Sequence, residues 1–258
     1  MELVYRPVVT FARAAFAAMR WRVLPSGVEH LPSSGPGLIA SNHVGYLDFA
    51  FLGYAALDRD RLVRFMAKQE VFDHAVAGPL MRGMRHLPVD RFGGAVAAID
   101  TAVEALNAGE VVGLFPEGTI SRSFVPARPK TGAARIALRA SAPLIPAAVW
   151  GSQRLLTKGR RPNWQRGVPI TVTFGAPIAY GPDDDPAAIT DELIRRVTAL
   201  VDHAAATYPD RPAGDSDRWW VPAHLGGTAP SVDEAKAMAE AERQERRARR
   251  RAKRTVER

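Results

Sequence analysis

The sequence predicts an α/β fold, a single domain with a mainly parallel central sheet flanked by helices, and three observations point to it. Short apolar runs alternate with helix-periodic segments through the middle of the chain. A content of 47% hydrophobic residues over 258 positions is enough for a substantial core. No internal repeat interrupts the pattern, and no window approaches the roughly 18 consecutive apolar residues that would suggest a membrane span.

Residues 1–22, MELVYRPVVTFARAAFAAMRWR, come first. At ~100° per residue, Val4, Val8, Phe11, Ala15 and Met19 share one face, while Arg6, Arg13 and Arg20 recur every seven positions on the other. Such a basic amphipathic helix can pack its apolar side on a core or lie in a membrane interface with its arginines at anionic headgroups. The interface is the expectation here.

The α/β body is placed over residues 23–208. Strands are predicted at Leu38–Ala40, Leu62–Ala67, Val111–Phe115, Leu144–Trp150 and Ile170–Phe174, each a short apolar run. Helices are predicted at Phe49–Leu57, Ala77–Met84, Gly94–Asn107, Thr131–Ser141 and Pro186–Tyr208. From Pro209 the chain turns rich in Pro, Gly and Asp, which predicts an irregular arm, and a charged terminal helix follows, so 209–258 forms an appendage. The pair Trp219 and Trp220 lies in this arm without an evident role.

A net charge of +8 and a pI near 10.3 favour polyanionic company: lipid headgroups, nucleic acid or phosphorylated substrates. From Asp233 onward ten Lys/Arg stand against six Asp/Glu, so half of the net charge lies in the last 26 residues. That segment predicts either a solvated tail or an electrostatic anchor for an anionic membrane surface. Nucleic acid is not expected, because the tail carries no aromatic residue to stack on bases and the chain shows no nucleic-acid-binding motif. The chain has no cysteine, which excludes disulfides, thiolate nucleophiles and cysteine zinc sites. With no signal-like apolar stretch either, the expected location is the cytoplasmic face of the membrane, attached peripherally or monotopically.

The chemistry-bearing residues lie where the predicted strands end. In SNHVGYLD the apolar run ending at Ala40 leads into His43 and Asp48, at the carboxyl end of a strand, where α/β ligand crevices form. A carboxylate five positions on, in the first turn of a helix, can receive the imidazole N–H and leave the other ring nitrogen as a base. LFPEGTISRS repeats the logic at the next strand end: Glu117 and backbone amides can bind polyol hydroxyls, and Arg122 can hold a phosphate with a bidentate fork. Lys68 and Arg91, which bound MAKQEVFDHAVAGPLMRGMRHLPVDR, are further phosphate partners. PLIPAAVWG has the composition of a buried strand. Two other readings compete: a metal-dependent phosphoesterase with Asn42, His43 and Asp48 as ligands, and a membrane-binding module without catalysis. The first lacks a second ligand cluster, and the second has no need of both His43 and Asp48.

Taken in order, N-H-x-x-x-x-D (Asn42, His43, Asp48), A-K-x-E (Ala67, Lys68, Glu70) leading to P-V-D-R (Pro88–Arg91), F-P-E-G-T (Phe115–Thr119) and I-P-A-x-x-x-G (Ile145–Gly151) resemble the glycerolipid acyltransferases. Among these the set looks most like the bacterial 1-acylglycerol-3-phosphate acyltransferases. The resemblance spans residues 23–180. It implies a glycerol-3-phosphate acyltransferase-like fold, a donor thioester on CoA or acyl carrier protein, a lysophospholipid acceptor, membrane attachment, and no metal or other cofactor. It also implies roles: His43 as general base, Asp48 as its orienting partner, Glu117 and Gly118 against the acceptor's glycerol portion, and Lys68 and Arg122 toward its phosphate, with Thr119 and Arg91 as further substrate-binding residues. This sequence departs from the family pattern twice. Ile120 stands where the arginine usually follows F-P-E-G-T, and Gly45 replaces a serine often found two places after the histidine.

Overall fold

Every residue of Gly37–Ser41 and of Leu144–Trp150 is buried, the signature of strands covered on both faces. These segments, β2 and β6, are neighbours at the centre of the sheet in a computed structural model that describes residues 3–90 and 95–256. The other strands are β1 (Arg22–Ser26), β3 (Val63–Lys68), β4 (Leu87–Val89), β5 (Val111–Leu114) and β7 (Pro169–Phe174). Together they form a seven-stranded sheet in the order β1-β7-β6-β2-β5-β3-β4. Its neighbours run parallel except for the antiparallel pair of β6 and β7.

Side-chain alternation along the strands builds two cores. Leu38 and Ala40 face one way and join α5 (Ala95–Asn107), α6 (Gly132–Ala140) and α7 (Pro186–Ala206). Ile39 faces the other way and joins α1 (Tyr5–Ala18) and α2 (Asp48–Ala56). Each large aliphatic side chain buried in these layers contributes about 1.5–3 kcal/mol. The short helices α3 (Gln69–Phe72) and α4 (Ala77–Gly83) lie between β3 and β4, and the terminal helix α8 spans Val232–Val256.

The five expected strands are present, and each of the five expected helices is found within two residues of its predicted ends. β1 and β4 were not expected from the sequence. Both are edge strands: β1 is mostly exposed and contains Pro25, and β4 has three residues with none fully buried, so neither carries a strong apolar run.

The first helix differs from its expected form in two respects. It buries Tyr5, whose hydroxyl donates to the Val63 carbonyl of β3 at 3.0 Å, and Phe16, which stacks on Phe51 of α2 at 4.9 Å, so one side is a core element. Phe11 is 75% exposed and does not share that environment. Arg20 lies beyond the helix end, at φ 53°, and is not part of a helical arginine stripe. Among the described residues no helix is long and apolar enough to cross a membrane.

The arm after α7 has a packing role that the sequence left unexplained. Trp220 is buried, packs edge-on to Tyr208 at 5.5 Å and receives the guanidinium of Arg154 over its ring at 4.7 Å. Trp219 receives Arg160 at 3.9 Å. Gln153 Nε2 donates to the Trp220 carbonyl at 3.3 Å. The two tryptophans therefore brace the 152–160 loop that leaves β6, and this loop borders the site described next.

Candidate active site

Parallel strands deliver their carboxyl ends to one edge of the sheet, and the loops that follow β2, β5 and β6 meet there. Asn42 closes the end of β2. Its amide nitrogen donates to the Val149 carbonyl at 3.0 Å and its amide oxygen accepts the Val149 N–H at 2.8 Å. With both polar atoms committed to β6, Asn42 positions its neighbour and is not available as a metal ligand. Among the described residues no group of three or more potential ligands could hold a metal ion.

His43 projects from this anchor with its side chain 18% exposed, and its Nδ1 lies 2.8 Å from Asp48 Oδ2. Asp48 is fully buried at the start of α2. The same Oδ2 accepts the backbone N–H groups of Val44 at 2.7 Å and Gly45 at 2.9 Å, while Oδ1 accepts from the Ser152 hydroxyl. Backbone amides supply donors only, so they hold Asp48 as an acceptor. Nδ1 of His43 is then the protonated nitrogen, and Nε2 is left as the basic one. The imidazole also stacks on Phe115, with ring centroids 4.1 Å apart, and Phe115 stacks on Phe65 at 6.1 Å. Gly113 makes this possible, because a Cβ there would stand 2.6 Å from the Phe65 ring.

Ser152 was not identified from the sequence. Its only signal was a hydroxyl directly after the glycine that ends I-P-A-x-x-x-G. A Cβ at Gly45 would stand 2.8 Å from Ser152 Oγ, so the hydroxyl occupies space that a side chain at position 45 would need. The absence of a serine at 45 is thus matched by a serine arriving from β6.

Glu117 ties the loops together. Its Oε1 accepts the His43 N–H at 3.0 Å and its Oε2 accepts the Ala127 N–H at 3.3 Å. Burial pushes its carboxyl up to about 8, against the lowering by the amides of His43 and Ala127, with the Asp48 charge adding to the rise. The rise disfavours a second negative charge beside Asp48. Gly118, at φ 66°, makes the turn that follows, and Thr119 is exposed at its rim.

The phosphate-binding candidates fall in different places. Lys68 ends β3 on the same sheet edge and is exposed. Arg91 lies outside the described residues. Ile120 is buried, and Ser121 N–H donates to the His43 carbonyl at 2.8 Å. The loop thus turns Arg122, not residue 120, outward, where it meets Glu242 of α8. Lys158, a second residue not identified from the sequence, meets the same carboxylate. The loop bearing Lys158 is held to the histidine loop by Thr157, whose hydroxyl donates to the Val44 carbonyl at 2.6 Å, and by Tyr46 N–H to the Leu156 carbonyl at 2.8 Å.

Comparison with known proteins gives this geometry a family. The model of the family described as Acyltransferase matches residues 22–150. The chain is 34% identical over 181 residues to the 1-acyl-sn-glycerol-3-phosphate acyltransferase of Bacillus subtilis, a match covering 67% of this chain and 84% of that one. It is 30% identical over 162 residues to a chloroplastic 1-acyl-sn-glycerol-3-phosphate acyltransferase of Brassica napus, covering 62% of this chain and 45% of that longer protein. Among solved structures, the 1-acyl-sn-glycerophosphate acyltransferase PlsC from Thermotoga maritima shares the fold, with a TM-score of 0.64 at 21% identity over 80% of this chain and 81% of that one. The motif set, the His43–Asp48 pair at the strand ends and these matches together place the chain in the acyltransferase family.

Proposed function

We propose that this enzyme transfers a fatty acyl group from an acyl thioester to the free hydroxyl of 1-acylglycerol 3-phosphate, giving phosphatidic acid for phospholipid synthesis. The observation that carries the proposal is the oriented pair: Asp48 holds the imidazole of His43 at 2.8 Å through Nδ1 and leaves Nε2 at a partly open edge. An alcohol needs a base at the moment of attack, and a positioned histidine typically supplies ~10²–10⁴-fold. Nε2 takes the hydroxyl proton as the oxygen attacks the thioester carbonyl. The carbon–sulfur bond then breaks, and the imidazolium returns the proton to the departing thiolate. Asp48 stabilises the imidazolium in between. Ser152 bonds to Asp48 and not to the imidazole, so it is placed to orient the pair and not to carry the acyl group.

Lys68, Arg91 and Arg122 are the cations assigned to the acceptor's phosphate, with Gly118 and Thr119 at the rim toward its glycerol portion. Glu117 acts there through the loop it braces. The donor is a thioester of CoA or acyl carrier protein, which puts the reaction on the cytoplasmic side. The test is purified protein with labelled palmitoyl-CoA and a panel of acceptors, followed by positional analysis of the product. Lysophosphatidate should be acylated at its free hydroxyl well above glycerol 3-phosphate and other lysophospholipids. A preference for glycerol 3-phosphate would reassign the acceptor within the family.

The acceptor carries an acyl chain, so attachment at the membrane surface belongs to the same proposal. Leu3 and Phe11 of the N-terminal segment are 74% and 75% exposed, and Val76 and Leu80 stand out at 69% and 44%. Val4 packs against Gly83, where a Cβ would come within 2.7 Å of it, which sets the start of α1 beside α4. Apolar side chains offered by adjacent elements, with Arg6 and Arg13 exposed on α1, suit an anionic bilayer interface. Phe11→Asp should reduce sedimentation with anionic liposomes and leave the thermal midpoint unchanged, because the ring lies outside the core. Unchanged sedimentation would remove α1 from the attachment surface.

A further inference from the structure

Two cations beside the histidine loop are met by an acid of the chain itself. Arg122 Nη2 donates to Glu242 Oε1, and Lys158 Nζ lies 2.5 Å from Glu242 Oε2, so two cations share one carboxylate. Both cations are tethered to the histidine loop. Arg122 follows Ser121, whose N–H bonds the His43 carbonyl at 2.8 Å, and Lys158 follows Thr157, whose hydroxyl bonds the Val44 carbonyl at 2.6 Å. The Arg122 head rests against Gly159, at φ 81°, where a Cβ would stand 2.0 Å from Nη1. First Lys158 and then Arg122 hold the Glu242 carboxyl below its ordinary value.

One donor in this arrangement is not used. Arg122 Nε is buried and has no hydrogen-bond partner among the described residues. Glu242 presents one oxygen to Arg122 Nη2 and the other to Lys158, and neither meets Nε. A phosphate monoester offers three oxygens and a larger charge, so it can take Nε and Nη2 side-on while still meeting Lys158. The site is therefore better matched to a phosphate than to the carboxylate now in it.

We propose that Lys158 completes, with Arg122, the site for the acceptor's phosphate, and that Glu242 of α8 occupies this site until the acceptor displaces it. The inference rests on the reading of Arg122 as a phosphate ligand. Its consequence is a fixed reduction in apparent acceptor affinity, because only the fraction of molecules with the site vacated can bind. Both cations are assigned to the acceptor, so the donor KM should not change.

Steady-state kinetics on the full chain test this, with lysophosphatidate in uncharged detergent micelles so that surface charge does not act on the basic part of α8. Glu242→Gln should lower the acceptor KM by roughly threefold to tenfold, with kcat and donor KM unchanged. Lys158→Ala and Arg122→Ala should each raise the acceptor KM by about tenfold or more, the usual effect of losing a charge-assisted hydrogen bond. Glu242→Ala provides a second removal of the carboxylate should the glutamine variant fold poorly. An acceptor KM that is unchanged or raised in both Glu242 variants overturns the displacement, while a raised KM in Arg122→Ala would still leave the phosphate reading standing. An unchanged acceptor KM in Arg122→Ala overturns both.

Discussion

His43→Ala is expected to lower kcat by about 10²–10⁴-fold while the protein stays folded and the acceptor KM changes little. The imidazole is partly open, and among the described residues its side chain bonds Asp48 and stacks on Phe115. Removing it therefore creates no large cavity, and the lost stacking costs about 0.5–1.5 kcal/mol. A base acts only as the hydroxyl attacks, so its loss belongs to kcat and not to ground-state binding. Retention of more than about a tenth of the wild-type kcat would be inconsistent with general-base catalysis by this residue.

Asp48→Asn carries the second largest expected effect, and it differs in kind. Oδ2 accepts from the imidazole and from two backbone N–H groups, and Oδ1 accepts from Ser152. A carboxamide presents one acceptor atom and one donor atom. Its NH₂ would face either the two amides and Nδ1 or the Ser152 hydroxyl. Facing Nδ1 it would favour the wrong tautomer, with the proton on Nε2, where the base must be free. We expect a kcat loss of about 10²-fold or more, together with a stability loss of about 1–3 kcal/mol from the mismatched buried donors. Because Asp48 acts through His43, the His43→Ala/Asp48→Asn double variant should be no slower than His43→Ala alone. Losses that multiply would show that Asp48 acts independently of the imidazole. Ser152→Ala, which removes only the Oδ1 partner, should fall between wild type and Asp48→Asn.

The central strands were legible because burial on both faces leaves an unbroken apolar run, as in Leu144–Trp150. β1 and β4 were not, because an edge strand is held by one neighbour and carries little apolar signal. Within the site, His43 and Asp48 could be paired from a five-residue spacing across a strand end. Ser152 could not, since it reaches Asp48 across 104 positions of sequence, and only the register of β2 against β6 brings them together. Lys158 was hidden for the same reason. In α8 the net basicity drew attention to the helix as a surface anchor, and the residue that meets Arg122 and Lys158 is Glu242, an acid within a basic helix. The first helix shows the opposite difficulty. Its apolar residues divide between a buried set led by Tyr5 and Phe16 and an outward set led by Phe11, and one period cannot distinguish a core face from an interface face.

The central claim is that His43, oriented by Asp48, activates the acceptor hydroxyl for direct attack on the thioester. A rapid-quench single turnover tests it most directly: enzyme in excess over labelled palmitoyl-CoA, sampled first without acceptor and then after lysophosphatidate is added, with thioester, phosphatidic acid and protein-bound label each quantified. The account predicts an intact thioester and unlabelled protein until the acceptor arrives. Thioester loss should then match phosphatidic acid formation one for one, and His43→Ala should slow that step by the factor it takes from kcat. Thiol release before the acceptor is present, with the label carried on the protein, would contradict it.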